Sequence, residues 1–323
     1  SPDPALRGDR NLFIRQTKMI GPLDAPQPTL PDSHRRVIVR QPAPNETRKV
    51  AQESLTQFAN KAFRRPVEKK EISRLLSFVD MAQAAGDSFE KGMQLATQAI
   101  LVSPHFLFRW ELDTRPTSKE SIRKLNDWEL ASRLSYFLWS SMPDDELRLL
   151  AKKGELSSTS VLEAQIRRMI VDPKSDALVE NFAGQWLQIR NLNAVTPDPE
   201  KFPDFNDTLR NAMKKETELF FAALIREDRS VLEFIDSDFT YLNERLAKHY
   251  RIDGVKGDKF QRVSLPKASG RGGILTQASI LTITSNPTRT SPVLRGKWIL
   301  EQILGTPPPP PPPDVEELEE TEE

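Results

Sequence analysis

The chain has 323 residues, of which 37% are hydrophobic, and this suits one large core or two ordinary domains. Basic and acidic residues each number 46, so the formal net charge is zero and the chain lacks the basic excess of a nucleic-acid-binding protein. It contains no cysteine, which excludes disulfides, thiolate metal ligands, cysteine nucleophiles and covalent attachment of haem c to this chain.

Membrane-spanning and metal-binding patterns are missing from the sequence. No stretch stays apolar over the roughly 18 residues that a membrane-spanning helix needs. The first residues hold no apolar signal core either, so we expect a soluble chain that, if exported, is in its mature form or is a fragment. The three histidines, at positions 34, 105 and 249, lie far apart in the sequence, and we predict no metal site.

Residues 1–45 form a proline-rich arm. Two short stretches in it, 11–16 and 35–41, contain β-branched residues and favour strands. Two lone strands cannot bury a face by themselves. We therefore expect this β-containing arm to pack on a neighbouring sheet or to be the end of a preceding domain.

From residue 46 onward, apolar residues recur at helical spacing. Residues 46–112 contain three such patterns, separated at Pro66 and Gly86. They predict a three-helix domain.

Residues 121–252 predict a second, multi-helix domain. Its first helix carries a capping signal at Asn126 and Glu129. Further helices are predicted at about 144–153, 160–171, 175–192, 206–227 and 242–250. Charges alternate on the polar faces of these helices, for example in "AMKKETELFF" (212–221), and we interpret those faces as solvated.

A glycine-rich segment, 253–272, follows the second domain. Its "GRGG" lacks the spacing of a dinucleotide-binding fingerprint and does not follow a convincing strand. We interpret this segment as an exposed, flexible loop.

Residues 268–306 predict a two-helix C-terminal domain. The first helix covers 273–284, and the second begins with Ser291 as N-cap and Pro292 at its first position. Gly305 supplies a left-handed residue at the end of the second helix.

Residues 307–323 form a polyproline and acidic linker. Seven consecutive prolines predict a polyproline II rod of about 20 Å, and seven acids with no base follow among the last ten residues. The predicted fold class is mainly α: a multi-helix, bundle-like body with a short β-containing N-terminal arm and this C-terminal tail.

The segment "SNPTRTSPVLRGK" (285–297) contains the best candidate site. Two arginines and three hydroxyl residues surround a predicted helix N-terminus, whose free N–H groups attract anions: Thr288, Arg289, Thr290, Ser291 and Arg295. We predict an anion- or partner-binding site. The alternative is that the hydroxyls cap the helix and the arginines pair with acids of the same domain.

The remaining candidates are two histidines, the tryptophans and the acidic residues. His105 is either a docking or axial contact for a haem or a buried histidine hydrogen-bonded to backbone. His249 suits a helix C-terminus, and all five tryptophans suit core packing. A glycosidase-type carboxylate pair stays open among 46 acids, because no spacing selects one.

The chain contains "FANKAFRRPVEKKEI", "ILVSPHFLFRWE", "LNDWELASRLSYFLWSSMPDDEL", "NFAGQWLQIRNL" and "RGGILTQASILTITSNPTRTSPVLRGKWILEQILGTPPPPPPP". These motifs resemble three successive domains of unknown function in large exported proteins that are abundant in planctomycetes and associated with cytochrome c. The resemblance covers about residues 54–319.

The resemblance implies an extracytoplasmic location, periplasmic or at the cell surface. Family members typically carry Cys-x-x-Cys-His haem-binding sequences in flanking domains, and this chain has none. Haem c is therefore expected on flanking domains or partner subunits. The implied function is a non-catalytic helical scaffold that positions those haem-bearing partners, and the alternatives are a polysaccharide-active enzyme or a ligand-binding module of the same compartment.

Overall fold

The structure is a computed structural model, and it describes residues 16–18, 31–111 and 123–309. The chain divides into two compact units. Unit 1 ends at Phe108, and unit 2 begins at Arg109.

Unit 1 is helical in its described part. Its helices are α1 (Asp32–Val37), α2 (Thr47–Ala62), α3 (Lys69–Ala84), α4 (Phe89–Leu101) and the single turn α5 (Pro104–Leu107). The three predicted helices are present as α2, α3 and α4. Helix α4 approaches α3 closely at Gly92, where a Cβ atom would lie 3.0 Å from the Cα atom of Val79. Side chains such as Val50, Leu55 and Met93 are fully or almost fully buried between these helices.

The strand prediction for 35–41 is wrong. Residues up to Val37 belong to α1, and no strand begins after it. Ile38 is buried in the core of unit 1, and the N–H of Val39 donates to the Oγ atom of Ser54 rather than to a strand. Packing against α2 has therefore overridden the local preference of the β-branched residues. The other predicted strand, 11–16, lies outside the described residues except for its last position.

Unit 2 contains more helices and a small sheet. In chain order its elements are α6 (Asp127–Trp139), α7 (Asp145–Lys153), α8 (Thr159–Val171), α9 (Asp176–Leu178), α10 (Gly184–Trp186), α11 (Asp207–Arg226), β1 (Phe239–Leu242), α12 (Glu244–Tyr250), β2 (Gln261–Ser264), α13 (Ala278–Ile283) and α14 (Pro292–Trp298). The capping signal predicted for α6 is present, because the side chains of Asn126 and Glu129 bond reciprocally to backbone N–H groups.

The mainly α class is confirmed, with a small β element. Strands β1 and β2 pair antiparallel, with Phe239 opposite Ser264. This sheet lies in unit 2, whereas the sequence placed β structure in the N-terminal arm. Within residues 31–111 and 123–309, no helix is both long and apolar enough to cross a bilayer.

Two predicted helices of unit 2 are interrupted. The pattern over 175–192 becomes α9, a π-helical turn (Val179–Ala183), α10 and, after the left-handed Gln188, a 3₁₀ turn (Ile189–Asn193). The pattern over 273–284 becomes a 3₁₀ turn (Ile274–Thr276) followed by α13. The extended backbone of Gln277 separates these two pieces, and its side chain is buried.

The glycine-rich segment 253–272 is not a loop throughout, because Gln261–Ser264 form β2 and Leu265 after it is buried. Gly273 has a φ of 59°, and a Cβ atom there would lie 2.3 Å from the carbonyl oxygen of Phe234. Ile274 is fully buried directly after it. Gly273, directly after that segment, is therefore required for close packing.

The predicted second helix of the C-terminal segment is present. Ser291 caps α14, and Pro292 is its first residue. A π-helical turn (Ile299–Ile303) extends α14, and Gly305 adopts a φ of 62° after it. Pro307 to Pro309 are exposed, and the rest of the predicted linker lies outside the described residues.

Four of the five tryptophans pack as predicted. Trp139 and Trp298 are buried in the core of unit 2, and Trp128 and Trp186 pack against it. Trp110 is 53% exposed, so the prediction is wrong there. Residues 108–111 form no helix that could turn this ring toward a core.

Candidate functional site

Unit 2 contains a pocket of about 530 Å³. We call it the basic pocket. Its apolar lining includes Val195, Phe202, Phe205, Leu209, Met213 and Leu281. Its polar and charged lining consists of Lys201, Asp204, His249, Thr282, Ser285, Asn286, Arg289, Thr290 and Arg295. Pro197, Pro203 and Pro287 complete it.

One wall of the basic pocket is the turn between α13 and α14. Ser285 and Thr290 form an isolated antiparallel bridge, and the N–H of Asn286 donates to the carbonyl oxygen of Arg289 at 2.9 Å. The Asn-Pro pair therefore closes a tight turn. This turn places Arg289 and Thr290 in the lining of the pocket.

Arg295, in the first turns of α14, is oriented by hydroxyl groups. Its Nε atom donates to Thr284 Oγ1 at 3.3 Å, and its Nη2 atom donates to Thr290 Oγ1 at 3.0 Å. Thr284 is only 2% exposed, so this anchor is rigid. The guanidinium is thus held in place by neutral hydroxyl groups and not by an acid.

The structure separates the two parts of the alternative interpretation of this segment. Ser291 caps α14 by accepting from the N–H of Leu294, as the alternative expected. Neither Arg289 nor Arg295 forms a salt bridge with any residue that the structure describes. The hydroxyl cap is thus present without the ion pairs that the alternative also required.

Two predicted site residues do not line the pocket. Thr288 is exposed on the turn, and Ser291 is occupied as the cap. The predicted attraction by free N–H groups is also largely absent, because Pro292 has no N–H and that of Leu294 is bonded to Ser291. The positive charge of the site comes from arginine and lysine side chains and not from the helix N-terminus.

The opposite wall, residues 195–205, was not predicted from the sequence. The N–H of Asp198 donates to the carbonyl oxygen of Pro287 at 3.0 Å and joins the two walls. Phe205 lies under the guanidinium of Arg210, 5.1 Å from ring centre to Cζ. The segment has no helical or strand periodicity. Its available signal was "FPDF" (202–205), an acid between aromatic and proline residues just before a helix.

His249 lies in the last turn of α12, as its sequence suggested, and it also lines the pocket. Desolvation lowers its pKa, and the nearby charges of Arg245 and Arg271 lower it further against an opposing effect of Asp204. The imidazole is therefore neutral at pH 7. The fixed charges of the lining are three cations and the carboxylate of Asp204, which leave a net charge of +2.

A buried polar network holds the helices behind the pocket. Glu216 on α11 is fully buried and accepts hydrogen bonds from Thr240 Oγ1, at 2.6 Å, and from the hydroxyl of Tyr250. The same hydroxyl accepts from the N–H of Ala278 at 2.7 Å. The guanidinium of Arg271 lies 3.8 Å from the centre of the Tyr250 ring. The network thus ties α11, β1, α12 and α13 together.

Burial raises the pKa of Glu216 to about 7, although its two hydrogen bonds and the charge of Arg271 oppose the shift. Next to it, Thr217 Oγ1 contacts Gln277 Oε1 at 2.7 Å and Ser279 Oγ at 2.6 Å, and all three side chains are buried. The prediction that the polar face of 212–221 is solvated is therefore wrong for Glu216 and Thr217.

His105 lies in unit 1, at the start of α5. Its Nε2 atom is 3.5 Å from a carboxylate oxygen of Glu71, and its ring lies 5.3 Å from that of Phe63. The side chain is 42% exposed, so the interpretation as a buried histidine is wrong. A contact with haem stays a prediction.

A metal ion or a catalytic acid pair requires acids or histidines that lie close together. Across residues 31–111 and 123–309, no three histidine, aspartate or glutamate side chains gather in a way that could hold a metal ion. Asp204 is the one carboxylic acid in the lining of the basic pocket. A glycosidase mechanism of the usual kind needs two.

Three family models match the chain, and each is described as a protein of unknown function. They are DUF1595 over residues 50–111, DUF1592 over 125–252 and DUF1588 over 271–323. The chain belongs to the planctomycete cytochrome-c-associated family that carries these three domains. Neither the curated proteins nor the solved structures give a match.

The basic pocket lies where two of these domains meet. Residues 195–249 of its lining belong to the DUF1592 domain, and residues 281–295 belong to the DUF1588 domain. The hydrogen bond between Asp198 and Pro287 crosses the same boundary. Because the chain has no cysteine, haem c cannot attach covalently to any of the three domains.

Proposed function

We propose that the chain is a non-catalytic, extracytoplasmic helical scaffold in a cytochrome-c-linked assembly, and that it positions haem-bearing domains or subunits. Membership of the cytochrome-c-associated family supports this proposal. The observation that carries it is the pair Arg289 and Arg295, which line one pocket and form no salt bridge within the described residues. The extracytoplasmic location rests on the family resemblance alone.

The basic pocket is the proposed contact with the assembly. A net charge of +2 attracts an acidic group, such as a haem propionate of a partner or an acidic segment of a neighbouring domain. Arginine suits this role because its planar fork can hold a carboxylate through two hydrogen bonds. Each such bond to a charged group is worth about 1.5–3 kcal/mol net.

Affinity for the haem-bearing flanking domain, supplied in trans, tests the proposal. We expect Arg289→Ala to weaken binding at least tenfold, Arg289→Lys to weaken it less, and rising salt to weaken the parent more than Arg289→Ala. Lys152→Ala is the matched control, because it removes an exposed positive charge of unit 2 outside the pocket. Arg295→Ala serves as a second variant after a thermal melt has shown that it folds.

If both folded arginine variants bind the flanking domain as tightly as the parent, the scaffold contact does not involve the basic pocket. Absence of binding by the parent at low salt would reject the scaffold role itself.

The second candidate, a ligand-binding module, is favoured by the apolar lining of the same pocket. Screening a glycan and glycoside panel addresses the polysaccharide-active enzyme, for which turnover would be decisive.

A further inference from the structure

From the two sides of the basic pocket we infer its ligand class: a single carboxylate attached to an apolar body, as in a medium-chain fatty acid or a peptide that ends in an apolar residue. This inference rests on the proposed function of the pocket as a binding site, and it names the chemistry of the occupant. It follows from the separation of apolar and cationic groups within one cavity.

The inner part of the pocket is apolar. Leu209 and Met213 of α11 are 1% and 2% exposed, so they lie at its depth, with Leu281 of α13 beside them. Helices α11 and α13 are fixed by the buried contacts of Thr217 with Gln277 and Ser279. This floor is therefore preformed and does not require a ligand to assemble it.

The outer part of the pocket is cationic. Arg289 and Lys201 are exposed, whereas Arg295 is half-buried and oriented by Thr290. None of the three has a salt-bridge partner among the residues with described positions. A ligand that enters with its apolar end first therefore leaves its acidic end beside these cations.

The same lining disfavours other ligands. Inorganic phosphate could use the cations but would leave the apolar floor uncovered. A polyanion would bring further negative charge toward Asp204, which lines the same pocket. An uncharged hydrocarbon could cover the floor but would gain nothing from Arg289. The volume of about 530 Å³ suits a small molecule or the last one or two residues of a peptide.

The experiment measures affinities of the full chain for butanoate, hexanoate and octanoate by calorimetry at fixed salt. Each buried methylene is expected to strengthen binding about fourfold, so octanoate should bind roughly sixteenfold more tightly than hexanoate. Octanol should bind at least tenfold more weakly than octanoate, and its affinity should depend little on salt. Inorganic phosphate should compete poorly with octanoate.

Two variants separate the apolar and charged contributions. Arg289→Ala should remove most of the preference for octanoate over octanol and keep the dependence on chain length. Leu281→Ala, at a side chain of the apolar floor that is only partly buried, should reduce the dependence on chain length and keep the preference for an acid. Lys152→Ala should change neither.

A further comparison distinguishes the sources of the carboxylate. A tetrapeptide that ends in leucine with a free carboxylate is compared with its C-terminal amide and with octanoate. Tighter binding of the free peptide than of octanoate identifies a protein terminus as the ligand, and the reverse identifies a free acid. Either result supports the inferred class, whereas equal binding of the acid and its amide contradicts it.

The inference and the proposed function can fail separately. If no alkanoate binds, or if affinity is independent of chain length, the inferred class is wrong even where the haem-bearing domain still binds through Arg289. If octanoate binds as expected while the haem-bearing domain does not, the scaffold role is wrong and the ligand class stands.

Discussion

Replacement of Glu216 by glutamine should change the pH dependence of the stability of unit 2. The carboxyl group is fully buried, and burial raises its pKa to about 7 from an ordinary value of 4.5. Between these two pH values, the folded chain keeps a proton that the unfolded chain has lost. Stability that is present below pH 4.5 is therefore lost as the pH rises through 7.

The size of the loss follows from the shift. A displacement of pKa from 4.5 to about 7, at about 1.4 kcal/mol for each pH unit, corresponds to roughly 3–4 kcal/mol. Glutamine has the same shape and no charge, and its amide can still accept from Thr240 or Tyr250. At pH 8, Glu216→Gln should therefore be more stable than the parent by up to about 3–4 kcal/mol, and near pH 4.5 the two should be similar.

Urea unfolding followed by tryptophan fluorescence measures this difference. All five tryptophans lie in unit 2, so the signal reports on that unit alone. Carboxylates with lowered pKa values, such as Asp144 and Glu129, give both proteins the same dependence in the acid range. The difference between the proteins isolates Glu216. Parallel curves from pH 5 to pH 8 would refute the assignment of a buried, proton-holding carboxyl.

Three further substitutions test the packing and the buried polar network of unit 2. Gly273→Ala should destabilise the unit by at least about 3 kcal/mol, because its Cβ atom would lie 2.3 Å from a backbone carbonyl oxygen at a positive φ. Gly296→Ala, with open space at its Cβ position, should instead stabilise by up to about 1 kcal/mol, and equal urea midpoints for the two variants would contradict the packing argument. Tyr250→Phe removes a hydrogen bond that lowers the pKa of Glu216, so the pH-dependent loss should move to higher pH, with an added cost of about 1–3 kcal/mol for the unpaired N–H of Ala278. Urea unfolding followed by tryptophan fluorescence at a series of pH values shows whether the pH of this stability loss moves.

Much of the helical fold was predictable because its signals are local. Asn126 and Glu129 mark the start of α6 within four residues, and Ser291 with Pro292 marks the start of α14. Such caps act through neighbouring backbone groups and can be recognised without the tertiary structure. Strands β1 and β2 are four residues each and pair across an intervening helix, so no local pattern announces them.

The candidate site was predictable on one side only. Arg289 and Arg295 attract notice because two cations stand beside hydroxyl residues at a helix start. The wall at 195–205 has no periodicity, and its role depends on the contact of Asp198 with Pro287, nearly ninety positions away in the sequence. Glu216 escaped notice because a charged residue on a helix is usually solvated. Its burial against Tyr250 becomes visible only in the tertiary structure.

The hydrogen bond between Asp198 and Pro287 joins two segments that sequence families describe separately. A polypeptide cut between residues 252 and 271 would leave Lys201 and the floor of α11 in one piece and both arginines in the other. Either piece alone would expose Met213 or Leu281 to water and would present only half of the charges. The region that is inherited as a recognisable domain is thus smaller than the region that can bind, and a change of specificity in one domain requires a matching change in its neighbour.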